Sequence, residues 1–248
     1  MSLQENNHWS TPIGAPLAAP FPFSFRDVEV LTLSYKTDRK AAEKLLPAPL
    51  KLRSDWVLIH IYNMNDTDYL GQYQECNVML DAELPGKAVG GYSPFLFLNS
   101  DGGISQGREV HGQPKKWGNP KVDFNGDLII GSLERNGIEV VNGTMAYKQN
   151  RGTIQEFKDM TFDFSVNLNY KVINHINGET AIRQITSRNL ENVKIAESWI
   201  DPCSVALRPN MQAPIYKLPV LEEGHACFWK GEFTLVEGEI VHDYLRKG

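Results

Sequence analysis

Hydrophobic and polar positions alternate along much of this chain. Val28–Tyr35, Trp56–Asn63, Tyr73–Leu84, Asp127–Leu133, Ile138–Lys148, Ala181–Arg188, Cys227–Val236 and Glu239–Leu245 read as strands, because a period of two puts every second side chain on one face. The alternation is complete from Thr161 to Val172, where Phe162, Phe164, Val166, Leu168, Tyr170 and Val172 oppose Thr161, Asp163, Ser165, Asn167, Asn169 and Lys171. It predicts one half-buried strand over those residues. Asn-Gly stands at Asn125-Gly126, Asn136-Gly137, Asn142-Gly143 and Asn177-Gly178, and this dipeptide suits the positive-φ positions of tight hairpins. Strands at such intervals predict a mainly β chain, a β-rich α+β fold with antiparallel strands closed into a barrel or sandwich.

Helices are few in this reading. Asp38 can cap one over Arg39–Leu46 that Pro47 stops, and a second, short one is expected around Pro209–Met211. Residues 1–27, with Pro12, Pro16, Pro20 and Pro22, read as an extended N-terminal arm laid over the body or over a neighbouring subunit. Without an internal repeat or linker, residues 1–248 read as one domain.

Composition narrows the function classes. The 25 Lys+Arg against 30 Asp+Glu give a formal charge of -5, without the basic clusters that nucleic acid or an anionic membrane requires. No apolar run approaches the roughly 18 residues of a membrane span, and the first ten residues lack the basic and apolar regions of a secretory signal. Cys76, Cys203 and Cys227 are odd in number and widely spaced, which fits buried packing in a reducing, cytoplasmic setting rather than a disulfide framework or zinc site. The histidines His8, His60, His111, His175, His225 and His242 form no metal-ligand pattern. No phosphate-binding loop is present, so neither metal nor cofactor is expected.

Gly103-Ile104-Ser105-Gln106-Gly107 matches the GxSxG of hydrolases, but that motif works only on a strand-to-helix turn. With Gly112 and Pro114 following closely, a glycine-rich bend between strands is expected. More informative is Gly107-Arg108-Glu109-Val110-His111-Gly112-Gln113-Pro114-Lys115-Lys116-Trp117. A free lysine, with a pKa of about 10.4, is neutral in only about one molecule in a few thousand at pH 7. Only the neutral amine attacks a carbonyl, and both desolvation and a neighbouring ammonium favour that form. The resulting iminium withdraws electrons from the adjacent carbon and permits CO2 loss, proton abstraction or carbon–carbon cleavage.

The Gly-Arg-Glu at 107–109 followed by Pro114-Lys115-Lys116 resembles the acetoacetate decarboxylase family, whose enzymes activate a lysine in this way. Ser10-Thr11-Pro12, Tyr35-Lys36-Thr37-Asp38, Pro47-Ala48-Pro49-Leu50, Asp66-Thr67, Gly71, Tyr73, Glu75, Ala146-Tyr147-Lys148, Ala213-Pro214 and Asp243-Tyr244-Leu245 follow the family pattern in order. The resemblance implies a cone-shaped antiparallel barrel around an internal cavity and a homo-oligomer. It also implies Lys115 as the Schiff-base lysine, Lys116 as the perturbing neighbour and Glu75 as the pocket carboxylate. Two family pocket positions differ, an arginine falling on Val28 and a glutamate on His60. Arg26, two residues before Val28 and roughly 6–7 Å away along the strand, is the expected substitute. His60, on a face with Trp56, Leu58 and Tyr62, reads either as a packed core histidine or as an acid/base facing the cavity. The expected substrate-binding set is His60, Arg26, Val28, Arg108 and Gln113.

These residues imply a lyase that joins Lys115 to a small keto acid. Val28 and His60 favour a variant chemistry, aldol condensation and dehydration of a pyruvate-type donor with an aldehyde co-substrate. Decarboxylation of acetoacetate to acetone and CO2 is the alternative, and a non-catalytic ligand-binding barrel the third reading.

Overall fold

β1 (Phe23–Lys36) pairs antiparallel with β2 (Lys51–Thr67), and β2 with β3 (Tyr73–Leu84). The computed structural model describes residues 10–18, 20–162 and 166–246. β3 continues to β4 (Ala88–Leu98) and, through two parallel residue pairs, to β9 (Asn167–Asn174). β9 pairs with β10 (Thr180–Leu207), and β10 pairs with β11 (Glu222–Asp243), which returns to β1. The fold is therefore mainly β, with its sheet curled into a partial ring. The far end of β10 carries a second layer, β8 (Ile138–Ala146), β7 (Leu128–Arg135) and β6 (Asn119–Asn125). β5 (Lys115–Trp117) lies parallel to β4.

The layer over β1–β3 explains their composition. Leu31, Leu33, Tyr35, Ile59, Ile61 and Val78 pack against Ile129, Leu133, Val141 and Met145 in one core cluster. Val28, Val30, Tyr62, Met64 and Tyr73 form another with Leu96, Leu98 and Trp229. Strands covered on both sides lose the polar half of the alternation, so Val30–Tyr35 is buried without interruption. β4 escaped the sequence reading for this reason and because Gly90, Gly91 and Pro94 interrupt its pattern, β6 because Pro120 interrupts a short, mostly exposed strand, and β5 because three residues are too few to show a period.

Several elements differ from expectation. Asn136-Gly137 is a hairpin turn with both φ positive, and Gly126 and Gly178 also take positive φ between paired strands. Asn142-Gly143 instead lies inside β8, where a Cβ on Gly143 would meet Leu33 Cδ1 at 2.1 Å. The strand expected from Thr161 begins at Asn167, since Thr161 closes α3 (Ile154–Met160) and Phe162 has φ 51°. Asp163, Phe164 and Ser165 lie outside the described residues. Cys227–Val236 and Glu239–Leu245 merge into β11.

Asp38 does cap α1 (Arg39–Glu43), accepting from the Ala41 amide, but the helix stops three residues before Leu46. The second short helix is a 3-10 turn at Pro214–Lys217 rather than at Pro209–Met211, because Pro214 suits a helix start. The arm is shorter than 1–27: β1 starts at Phe23, and residues 1–9 lie outside the described set. Its described end meets the segment before the lysine pair, with the Phe21 and His111 rings 5.1 Å apart. All three cysteines are free and buried. Among the described residues no helix is long and apolar enough to cross a membrane.

Candidate functional site

The Gly103–Gly107 segment is helical, not a bend. Ser100 caps α2 (Asp101–Ser105), the chain continues as a π-helix over Gln106–His111, and Gly112 ends it in the left-handed conformation at φ 81°. The Ser105 hydroxyl donates to Glu109 Oε1 at 2.9 Å, so the motif holds its own turn together instead of presenting a nucleophile. A Cβ on Gly107 would fall 2.4 Å from Lys115 Cδ and 2.6 Å from Cε. This glycine lets the helix backbone lie against the lysine stem. Arg108 donates to the Lys115 carbonyl at 3.3 Å, fixing the backbone of β5 from behind.

β5 then aims its two lysines apart, because successive strand residues face opposite ways. Lys115 is 7% exposed, and its Nζ lies 2.9 Å from Glu75 Oε2, itself 7% exposed. Lys116 points outward and donates to the carbonyl and side chain of Gln212. Burial first, then Arg135 and Arg108, lower its pKa. The expectation of Lys116 as the ammonium beside Lys115 is corrected by this alternation.

Tyr73, Glu75, Asn77 and Met79 share one face of β3 and line a cavity with Tyr62, Met64, Gln113, Lys115, Asn167, Arg188 and Phe233. The cavity has room for a few waters and so for a small ligand. Burial, followed by the charge of Glu75, raises the pKa of Tyr62 and Tyr73, so both phenols stay neutral. Asn77 is 3% exposed, and its Oδ1 has no hydrogen-bond partner among the described residues.

Of the expected substrate-binding residues, Gln113 lines this cavity and the others do not. Arg26 is diverted by a bulge: Asp27 has φ 49° and the β1–β11 register shifts between Phe25 and Val28. Phe25 and Val28 thereby turn inward, while Arg26 pairs at the surface with Asp66 at 2.8 Å and Asp68 at 2.6 Å. Val28 is fully buried among apolar side chains. His60 shares the inward face with Tyr62, yet its Nδ1 lies 2.8 Å from the Thr32 hydroxyl and desolvation pushes its pKa down to about 3. It is a neutral, fully buried histidine that is not among the side chains lining the cavity. Arg108 is exposed on the outer side.

Arg188 and Asn167 were missed. Arg188 ends the alternating run Ala181–Arg188, and Asn167 lies on the polar face of the run that supplies β9. Both read as solvent-facing until the ring turns their faces inward.

The described geometry places a buried amine beside a buried carboxylate in a small cavity, an arrangement in which a carboxylate can exchange a proton with an amine. A family model described as acetoacetate decarboxylase matches residues 10–245. The chain belongs to the acetoacetate decarboxylase family. Acetoacetate decarboxylase 3 of Mesorhizobium japonicum is 33% identical over 237 residues, covering 96% of this chain and 91% of that one. A solved acetoacetate decarboxylase structure superposes with a TM-score of 0.90 at 29% identity and 96% coverage of both chains. The enduracididine biosynthesis enzyme MppR, solved with pyruvate, shares the fold at a TM-score of 0.77 and 18% identity, over 95% of this chain and 98% of that one. As a member of the acetoacetate decarboxylase family, the protein is a lyase-type enzyme.

Proposed function

We propose that the protein is a Schiff-base lyase acting on a small β-keto acid, with Lys115 as nucleophile and Glu75 as proton carrier. The observation that carries this reading is the 2.9 Å contact between the two buried groups in a small cavity. Glu75 accepts a proton from Lys115, the neutral amine adds to the ketone, and Glu75 gives that proton to the departing hydroxyl, so that water leaves and an iminium remains. Electrons of the breaking C–C bond flow into that iminium as CO2 departs. A second proton, drawn from solvent water through Glu75, goes to the enamine carbon, and water hydrolyses the resulting iminium to the product ketone and the free amine.

Decarboxylation is supported by relatives named acetoacetate decarboxylase at 32–33% identity over nearly the whole chain. The sequence argument for a variant chemistry rested on Val28 and His60. Its force is reduced, since His60 is fully buried without lining the cavity and Arg188 brings an arginine to it. Aldol condensation and dehydration, with an aldehyde as second substrate, is the other reading. It is favoured by Glu75, which stands beside Nζ where a base could take a methyl proton from a pyruvate iminium.

Borohydride reduction in the presence of acetoacetate or pyruvate is expected to add one ligand-sized mass increment, lost in Lys115→Ala. No adduct with either acid, or an undiminished one in the variant, overturns the enzyme reading. Release of CO2 from acetoacetate, against dehydrated product from pyruvate plus aldehyde, separates the two outcomes.

A further inference from the structure

The chemistry above leaves one charged group of the cavity without a task. Arg188 lines it beside Lys115, Glu75, Gln113 and Asn167. Its Nη2 donates to Asn167 Oδ1 at 3.4 Å, and Gln113 Nε2 donates to the same oxygen at 3.3 Å. Asn167 is itself held from behind, its amide nitrogen donating to Ser93 Oγ at 2.9 Å and the Gly91 carbonyl at 3.1 Å. The guanidinium is thus oriented by a neutral acceptor. Among the described residues no carboxylate pairs with it, and its Nε is buried without a partner.

A guanidinium keeps its proton and offers five donors, so enclosing it without a counterion is costly. Desolvation lowers its pKa, and the charge of Glu75, which acts on it without an ion pair, offsets only part of that. Glu75 itself pairs with Lys115, so the formal charges of Lys115, Glu75 and Arg188 leave the cavity one surplus positive charge. The remaining wall includes Phe25, Tyr62, Tyr73 and Phe233, none of which supplies another cation.

We propose that Arg188, braced by Asn167 and flanked by Gln113, is the carboxylate-binding subsite of this enzyme, performing from β10 the role for which β1 offers only Val28. The proposal rests on Lys115 being the Schiff-base nucleophile. It assigns the substrate to monocarboxylate keto acids small enough to span from Nζ to the guanidinium. Neutral ketones lack the anchoring charge, and a second carboxylate would meet Glu75 or the aromatic wall. It also gives direction to turnover: once CO2 has left, the product ketone has no charge for Arg188 and departs.

The test compares each acid with its methyl ester, acetoacetate with methyl acetoacetate and pyruvate with methyl pyruvate, by borohydride trapping on the full chain. The wild type is expected to trap acids about 10- to 100-fold more efficiently than esters. Arg188→Gln should remove most of that preference while trapping esters about as well as before, and Arg188→Lys should retain part of it. A wild type that traps ester and acid equally overturns the proposal without need of a variant. So does an Arg188→Gln protein that keeps the preference, or one that loses acid and ester adducts alike. No adduct with any of the four ligands would instead remove the Lys115 reading beneath it.

Discussion

The stem of Lys115 lies where a side chain at Gly107 would stand. A Cβ on Gly107 would reach within 2.8 Å of Gln113 Oε1 as well as of the lysine stem. These are ends of side chains, which can swing away, so the fold should tolerate Gly107→Ala while the amine is displaced. The expected outcome is a melting temperature within a few degrees of wild type and kcat lower by about 10²-fold, the usual effect of misplacing a reacting group by about 1 Å. Unchanged kcat would show that this contact does not position Lys115. At the same scale, the family resemblance singled out Lys115 and Glu75, which the fold brings together, while the structure leaves Lys116 and Arg26 outside the cavity and gives His60 the packed one of its two readings. Neighbours in sequence part company on a strand, the Asp27 bulge reverses the facing of Arg26, and His60 is fully buried against the Thr32 hydroxyl.

Turn chemistry was legible and strand ends were not. Asn136-Gly137 makes a hairpin because its residues must both take positive φ, a demand read locally. The same dipeptide at Asn142-Gly143 is there for a long-range reason, the approach of Leu33 from β1. Leu33 is fully buried and packed on every side, so Gly143→Ala should cost about 1–3 kcal/mol as overpacking strains the core. Urea denaturation at neutral pH would measure it, and a midpoint equal to wild type would show that Leu33 repacks freely. The helical course of Gly103–His111 was likewise hidden. Its glycines read as breakers, whereas they answer to the backbone packing against Lys115 and the arm.

Over the whole molecule, an acidic chain of formal charge -5 surrounds a cavity with a surplus positive charge. Composition averages over the surface and says nothing of that interior. Burial also sets the acid response of the fold. His60 and His111 are held at a pKa of about 3, in both cases chiefly by desolvation, against about 6.5 in an unfolded chain. As pH falls below about 6.5 the unfolded chain takes up protons that the folded one refuses. Stability should therefore drop by up to about 1.4 kcal/mol per pH unit for each histidine, the loss continuing toward pH 3. Urea midpoints measured from about pH 7.5 to 5 should fall, and fall less in His60→Gln. A flat profile would contradict the burial of both rings as neutral bases.

By itself the sequence determined the β periodicity, three of the hairpin turns, the lysine pair worth following and, through its motifs, the family. Those features are local: a period of two, a dipeptide with allowed positive φ, a run of residues with its own chemistry. Tertiary structure alone decided which charges meet inside. Periodicity tells which side chains share a face, but β1–β3 are buried on both, and only the curl of the sheet turns one face into a cavity wall. That curl delivers Arg188 from β10 and Asn167 from β9 to Lys115, and leaves Arg26 and Lys116 outside.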